Sequence, residues 1–221
     1  MEINMKCVAV ILSGCGVYDG SEIHESVLTM LSLSRLGAKV SFFSPDELQH
    51  HVINHLNGKE EKETRHIMQE SARITRGNIQ PLSQVDINTL DALIIPGGFG
   101  VAKNLCNFAF KGSECEINKN LLSIVRSMHQ QGKPMGFMCI APVMVAKILG
   151  RPIKVTIGND PETAAQIEAM GGIHIECPVD DIVIDFKNKI VTTPAYMLAE
   201  SLSQAEQGID KLVRKILEMI E

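Results

Sequence analysis

No apolar run in the 221 residues comes near the roughly 18 that a membrane span requires, so contact with a bilayer is not expected. Basic charge is also short. Twenty-one Lys and Arg stand against 26 Asp and Glu, a formal net charge of −5, which supplies no positive field for nucleic acid. The N-terminus, Met1-Glu2-Ile3-Asn4-Met5-Lys6, lacks the charged, apolar and small-residue blocks of a secretory signal. No Cys-x-x-Cys pair occurs among Cys7, Cys15, Cys106, Cys115, Cys139 and Cys177. That argues against a zinc ribbon or a disulfide framework and for free thiols in a reducing compartment. The expected location is therefore cytoplasmic. Repeats, low-complexity tracts and linkers are missing too, so residues 1–221 are expected to form one domain with a substantial core.

What is present is an alternation of strand and helix signals. Cys7 to Leu12 is an apolar run of strand length, followed by the glycine-rich loop Ser13 to Ser21. Ile23, Val27, Leu28, Met30, Leu31 and Leu36 repeat at helical spacing as far as Gly37, and a strand follows over Ala38 to Phe43. A polar insertion runs to Gly58, with a charged helix expected near Glu60 to Arg76. Further strands are predicted over Leu90 to Ile95, Ile153 to Ile157 and Ile173 to Cys177, and helices over Asn118 to Gln131 and Pro161 to Met170. Ile182 to Asp185 and Ile190 to Thr193 flank a turn and predict a hairpin. The last helix presents an apolar face from Leu198 to Ile220. This order specifies an α/β fold with an open, mainly parallel sheet, helices on both faces and a late hairpin.

The chemistry gathers on one stretch. Met135-Gly136-Phe137-Met138 reads as a strand, Cys139 ends it, and the helical pattern of Val143, Met144, Ala146, Lys147, Ile148 and Leu149 starts directly behind. Such a strand-to-helix turn holds its residue in the geometry of a nucleophile elbow, and the helix start favours a thiolate with a lowered pKa. The alternative for Cys139 is a small buried hydrophobe. Glu22 and Glu25 open the first helix three residues apart and share one face. Whichever reaches Cys139 can be held protonated by the thiolate charge and shuttle a proton, or both can simply complement the helix dipole. Gly97 and Gly98 after the third strand can offer backbone N–H groups to an oxyanion, joined by the N–H of Ile140, or form a plain tight turn.

Two patterns imitate other chemistries. Gly14-Cys15-Gly16 with Asp46 resembles a dinucleotide fingerprint, but Asp19 holds the third glycine position. His50, His51, His55 and His66 cluster in the insertion without a cysteine or carboxylate to complete a metal set. Neither a metal nor a cofactor is expected.

Ile11 to Glu25, Pro96-Gly97-Gly98-Phe99-Gly100 through Leu105, Gly136-Phe137-Met138-Cys139-Ile140-Ala141-Pro142 and Thr192-Thr193-Pro194-Ala195-Tyr196-Met197 together resemble the PfpI-like superfamily, relatives of the class I glutamine amidotransferases, over essentially the whole chain. The resemblance implies a flavodoxin-like three-layer sandwich, a homodimer, and a cofactor-independent glyoxalase that turns glyoxal into glycolate. A protein deglycase role and a link to isoprenoid biosynthesis go with it. It maps the nucleophile to Cys139 and the carboxylate to Glu25, with Glu22 close behind. Many relatives add a histidine after the next strand, where this chain has Ile157-Gly158-Asn159-Asp160-Pro161. That leaves a Cys–Glu pair, with His24 nearby. Two rivals stand beside this reading: an amidase using His174-Ile175-Glu176, and a non-enzymatic redox sensor or chaperone in which Cys139 is oxidised beside the glutamic acid.

Overall fold

Every residue from Val8 to Leu12 is buried, a pattern that only a strand covered on both faces produces. The computed structural model describes residues 5–221. The expectation for Met1 to Lys6 rests mainly on residues 1–4, outside that range. β1 (Cys7–Ile11) leads to α1 (Ile23–Arg35), β2 (Lys39–Ser44), the short pair β3 (Ile53–Asn54) and β4 (Lys59–Glu60), α2 (Ile67–Thr75) and β5 (Gln80–Pro81). Next come β6 (Ala92–Ile95), α3 (Phe108–Lys111), α4 (Lys119–Gln130), β7 (Met135–Met138) and α5 (Val143–Leu149). The chain ends with β8 (Lys154–Val155), α6 (Pro161–Ala169), β9 (Ile173–His174), β10 (Val183–Asp185), β11 (Ile190–Thr193) and α7 (Leu202–Glu218).

The main sheet has seven strands in the order β10-β11-β7-β6-β1-β2-β5. All pairs are parallel except β10–β11. The run β2-β1-β6-β7-β11 reproduces the flavodoxin order 2-1-3-4-5, so the fold is the α/β, mainly parallel, flavodoxin-like one expected. Alternate residues feed two cores. Ala9, Ile11, Leu93 and Ile95 pack with Val125 of α4 and Met144 of α5. Val8, Val10, Ile94 and Met138 meet Leu28 of α1 and Ile209, Leu212 and Ile216 of α7.

The local signals that start helices are visible in the structure. Asp160 caps α6 by accepting the Thr163 N–H, with Pro161 in the first turn, and Ser201 caps α7 through the Gln204 N–H. α7 thus starts at Leu202 and not at Leu198, because Ala195–Met197 forms a separate 3₁₀ turn. The charged helix expected from Glu60 is also shorter. Glu60 to Arg65 are all exposed and bury no apolar stripe, so the helix begins at Ile67, the first side chain there that reaches the core. The strands expected over 153–157 and 173–177 shrink to β8 and β9, a separate two-stranded parallel sheet. Ile173 and Ile175 remain exposed on it.

Candidate active site

Four loops converge at the carboxyl ends of β1, β6, β7 and β11, where this topology places its ligand crevice. Cys139 follows β7 with φ at 58°, the left-handed backbone of an elbow, which costs a non-glycine residue about 1 kcal/mol or more. Its N–H donates to the Thr193 carbonyl at 3.1 Å, so β11 holds the turn from the side. The residue is only 7% exposed.

Glu25, fully buried on α1, lies beside Cys139: its Oε2 and the Cys139 Sγ both come within 2.9 Å of the position a Cβ on Gly97 would take. Its Oε2 accepts the Gly97 N–H at 2.7 Å and its Oε1 the Tyr196 N–H at 3.1 Å. Glu22 sits one shell out: its Oε2 accepts the Glu25 N–H at 2.6 Å, and its own N–H donates to the Gly97 carbonyl at 2.9 Å. The position of Gly97 requires glycine. A Cβ there would overlap the Cys139 Cβ and come within 2.7 Å of Glu25 Oε2.

Burial, and next the Glu22 carboxylate, raise Glu25 to about 7, against the hydrogen bonds from Tyr196, Gly97 and Cys139 that lower it. Burial first and the Glu25 charge second push the Cys139 thiol well above its ordinary range, outweighing hydrogen bonds from the Gly98 and Ile140 N–H groups. The proton of the pair therefore rests on sulfur. This corrects the lowered thiol pKa expected from the sequence. α5 begins only at Val143, four residues beyond Cys139, and the helix field fades within about a turn, whereas desolvation acts on the sulfur directly.

A second correction concerns the oxyanion donors. Gly97, Gly98 and Ile140 were expected to act together, but the Gly97 N–H is spent on Glu25. The Gly98 and Ile140 N–H groups favour a negative charge on the Cys139 sulfur. Tyr196 escaped the sequence reading as a site residue. A backbone N–H leaves no mark on residue type, and the only available signal was its place in the Thr192 to Met197 motif.

The remaining candidates lie apart. His24 Nδ1 hydrogen-bonds the Tyr196 hydroxyl at 2.9 Å, next to the Glu25 cradle and not in it. His174 Nε2 accepts the Ile157 N–H at 3.3 Å and Glu176 is exposed, so the His-x-Glu pair belongs to the β8–β9 sheet. The glycine loop is filled by its own chain: a Cβ on Gly16 would come within 2.6 Å of His55 Nε2, and Asp19 accepts the Ile53 N–H at 2.7 Å. The histidines disperse. His50 and His51 pack on Phe110, His55 engages Ile53 O and Tyr18 N, and His66 pairs with Asp46 at 3.4 Å.

No family model matches the chain. The human glutamine amidotransferase-like class 1 domain-containing protein 3, mitochondrial, is 47% identical over 222 residues, covering 96% of this chain and 82% of that protein. The ES1 protein homolog, mitochondrial, of Rattus norvegicus is 45% identical, covering 96% and 83%. Among solved structures, an isoprenoid biosynthesis protein with amidotransferase-like domain from Ehrlichia chaffeensis is 38% identical with a TM-score of 0.92, covering 98% of this chain and 100% of that one. Glyoxalase III from Candida albicans, 17% identical with a TM-score of 0.64 and 98% coverage of both chains, shares the fold. The relatives overturn the cytoplasmic expectation, since both are named mitochondrial. Free thiols ask only for a reducing environment, and that requirement does not single out one compartment. The chain belongs to the family of the ES1 proteins and the glutamine amidotransferase-like class 1 domain proteins, on the fold that its PfpI-like motifs resemble.

Proposed function

We propose that the chain is a cofactor-independent glyoxalase that converts glyoxal to glycolate, in the manner of the bacterial protein ElbB, whose motifs it resembles, and that it works in mitochondria like its named relatives. The observation that carries this reading is the fully buried Glu25 set beside the Cys139 sulfur, where burial brings its carboxyl to about 7. A carboxyl group poised near neutral pH can both take and return a proton, which is what an internal rearrangement of a dialdehyde requires. The glyoxalase III name among fold neighbours supports the same reading.

Glu25 carboxylate takes the thiol proton as the Cys139 sulfur adds to one aldehyde. The charge moves to the former carbonyl oxygen, held by the Gly98 and Ile140 N–H groups, and Glu25 passes the proton to it, giving a thiohemiacetal. Ionised again, Glu25 removes the C–H proton at that carbon. The second aldehyde becomes the enol side of an ene-diol, and the proton returns to the neighbouring carbon. The product is a glycolyl thioester on Cys139. Water cleaves it to glycolate and restores the thiol. Glu22 fixes Glu25 through the helix cap and touches no reacting atom.

The test is glycolate release from glyoxal by the purified protein. Cys139→Ala should abolish it, because the adduct forms on its sulfur, and Glu25→Gln should slow it by at least about a hundredfold. Turnover that survives in Cys139→Ala, or disappears from the wild type on rigorous purification, ends the glyoxalase reading.

A further inference from the structure

Tyr196 meets two consecutive residues of α1. Its N–H donates to Glu25 Oε1 at 3.1 Å, and its hydroxyl is hydrogen-bonded to His24 Nδ1 at 2.9 Å, the two ring centroids lying 5.7 Å apart. The first contact belongs to the cradle of Glu25. The second lies outside it, at the surface, where His24 is exposed and Tyr196 half-buried.

The turn that carries Tyr196 needs such a hold. Ala195, just ahead of it, has φ at 45°, which a residue with a Cβ keeps only where its surroundings impose it. Ala195–Met197 is a single 3₁₀ turn between β11 and α7. Its inner side is fixed, because Ala195 is buried in the core on the α1 and α7 side and Tyr196 packs partly against the same core. Its outer side is tied down by His24. The tie is indifferent to the tautomer of the imidazole, since a tyrosine hydroxyl pairs with Nδ1 whether or not a proton sits there. Burial, and then the Glu22 and Glu25 charges, hold the phenol proton on.

The two oxygens of Glu25 show what this hold serves. Oε2 is turned to Gly97, whose N–H it accepts at 2.7 Å, and it shares with the Cys139 sulfur the space around a Cβ position on Gly97. Oε1 is turned to the Tyr196 N–H. The last torsion of a glutamate side chain is soft, so a carboxyl anchored at one oxygen swings, and one anchored at both does not. We infer that His24 and the Tyr196 hydroxyl are positioning residues: their bond pins the 195–197 turn so that the Tyr196 N–H stays on Oε1 and Oε2 stays beside the Cys139 sulfur. Their part in turnover rests on the glyoxalase reading, but their hold on Glu25 does not.

Carbon NMR of protein labelled at the glutamate carboxyl carbon tests the hold without substrate, the Glu25 signal being the one lost in Glu25→Gln. The titratable groups gathered at Glu25 are Glu22 and His24 on α1, Cys139 after β7 and Tyr196 after β11. The Tyr196 N–H lowers Glu25 against burial, so loosening that bond moves ionisation to higher pH. Glu25 should titrate at about 7 in the wild type. In Tyr196→Phe, which keeps the N–H and loses the tie, the midpoint should rise by about 0.5–1 pH unit, the effect of one weakened hydrogen bond. His24→Ala should match it and the double variant should go no further, because all three cut the same bond. His24→Asn, which keeps a polar atom where Nδ1 stood, should return the midpoint to that of the wild type. With glyoxal, Tyr196→Phe should lower kcat about tenfold with KM little changed. An unmoved Glu25 midpoint in Tyr196→Phe and His24→Ala, or a His24→Asn that behaves as His24→Ala, would overturn the inference. His24 is exposed, so its variants carry the test even if Tyr196→Phe misfolds. Absence of glyoxal turnover in the wild type would end the glyoxalase reading and leave the carboxyl titration to decide the hold.

Discussion

Glu25 is asked to stay buried and still exchange protons, and those demands fix how the protein should respond to pH. Its ordinary value is 4.5 and its value in the fold is about 7, so the folded state holds an extra proton between those limits. The stability from this group is fully present below about 4.5 and is lost as pH rises through about 7, a difference of about 3 kcal/mol by linkage. Urea denaturation at pH 5 and pH 8 should show this loss in the wild type, and in Glu25→Gln the slope should flatten. An unchanged slope in the variant would assign the effect to another group. Activity should run the opposite way under the proposed mechanism. Because Glu25 must be ionised to accept the thiol proton, kcat/KM should fall about tenfold per pH unit below 7 and level off above it. At this scale Cys139 was legible from its place between strand and helix, whereas spacing left Glu22 and Glu25 both open and only the family resemblance favoured Glu25. The raised thiol pKa and the diversion of the Gly97 N–H were not, because both depend on which groups burial brings together.

The elements show where local pattern suffices and where it does not. The apolar stripe of α7 was readable from its spacing, and Leu212 and Ile216 on it are fully buried. Leu212→Ala should cost about 2–5 kcal/mol in chemical denaturation. Beneath it, a Cβ on Gly136 would lie 2.7 Å from Leu212 Cδ2. Gly136→Ala should therefore destabilise the wild type but do much less harm in the Leu212→Ala background, where the methyl enters the vacated space. Additive losses in the double variant would show that the two residues do not share one contact. The stretch from Glu60 to Arg65 misled because helix formers without an apolar face have nothing to pack on, and β8–β9 because two short apolar runs do not say which sheet they join.

At the scale of the molecule, the fold class followed from the order of strands and helices, since parallel strands joined by helices have few ways to pack. The compartment did not follow, because composition reports chemical environment and not address. The site is assembled from Glu25 on α1, Gly97 after β6, Cys139 after β7 and Tyr196 after β11, four stretches far apart in the chain. A chain ending after Pro178 lacks β10, β11 and α7, and with them the cover over Val8, Val10, Ile94 and Met138. It should show no cooperative thermal transition in calorimetry, and a transition like that of the full chain would mean that this face is closed by other residues.

The Tyr196 N–H, which completes the cradle of Glu25, also sets a schedule. During synthesis the ribosome releases Glu25, Gly97 and Cys139 long before Tyr196, and β11, which supplies the Thr193 carbonyl to the Cys139 N–H, emerges just ahead of it. Until then the nascent chain carries an ordinary cysteine and an ordinary glutamate. The pair that the proposed mechanism uses is thus assembled only once the segment around Tyr196 has arrived.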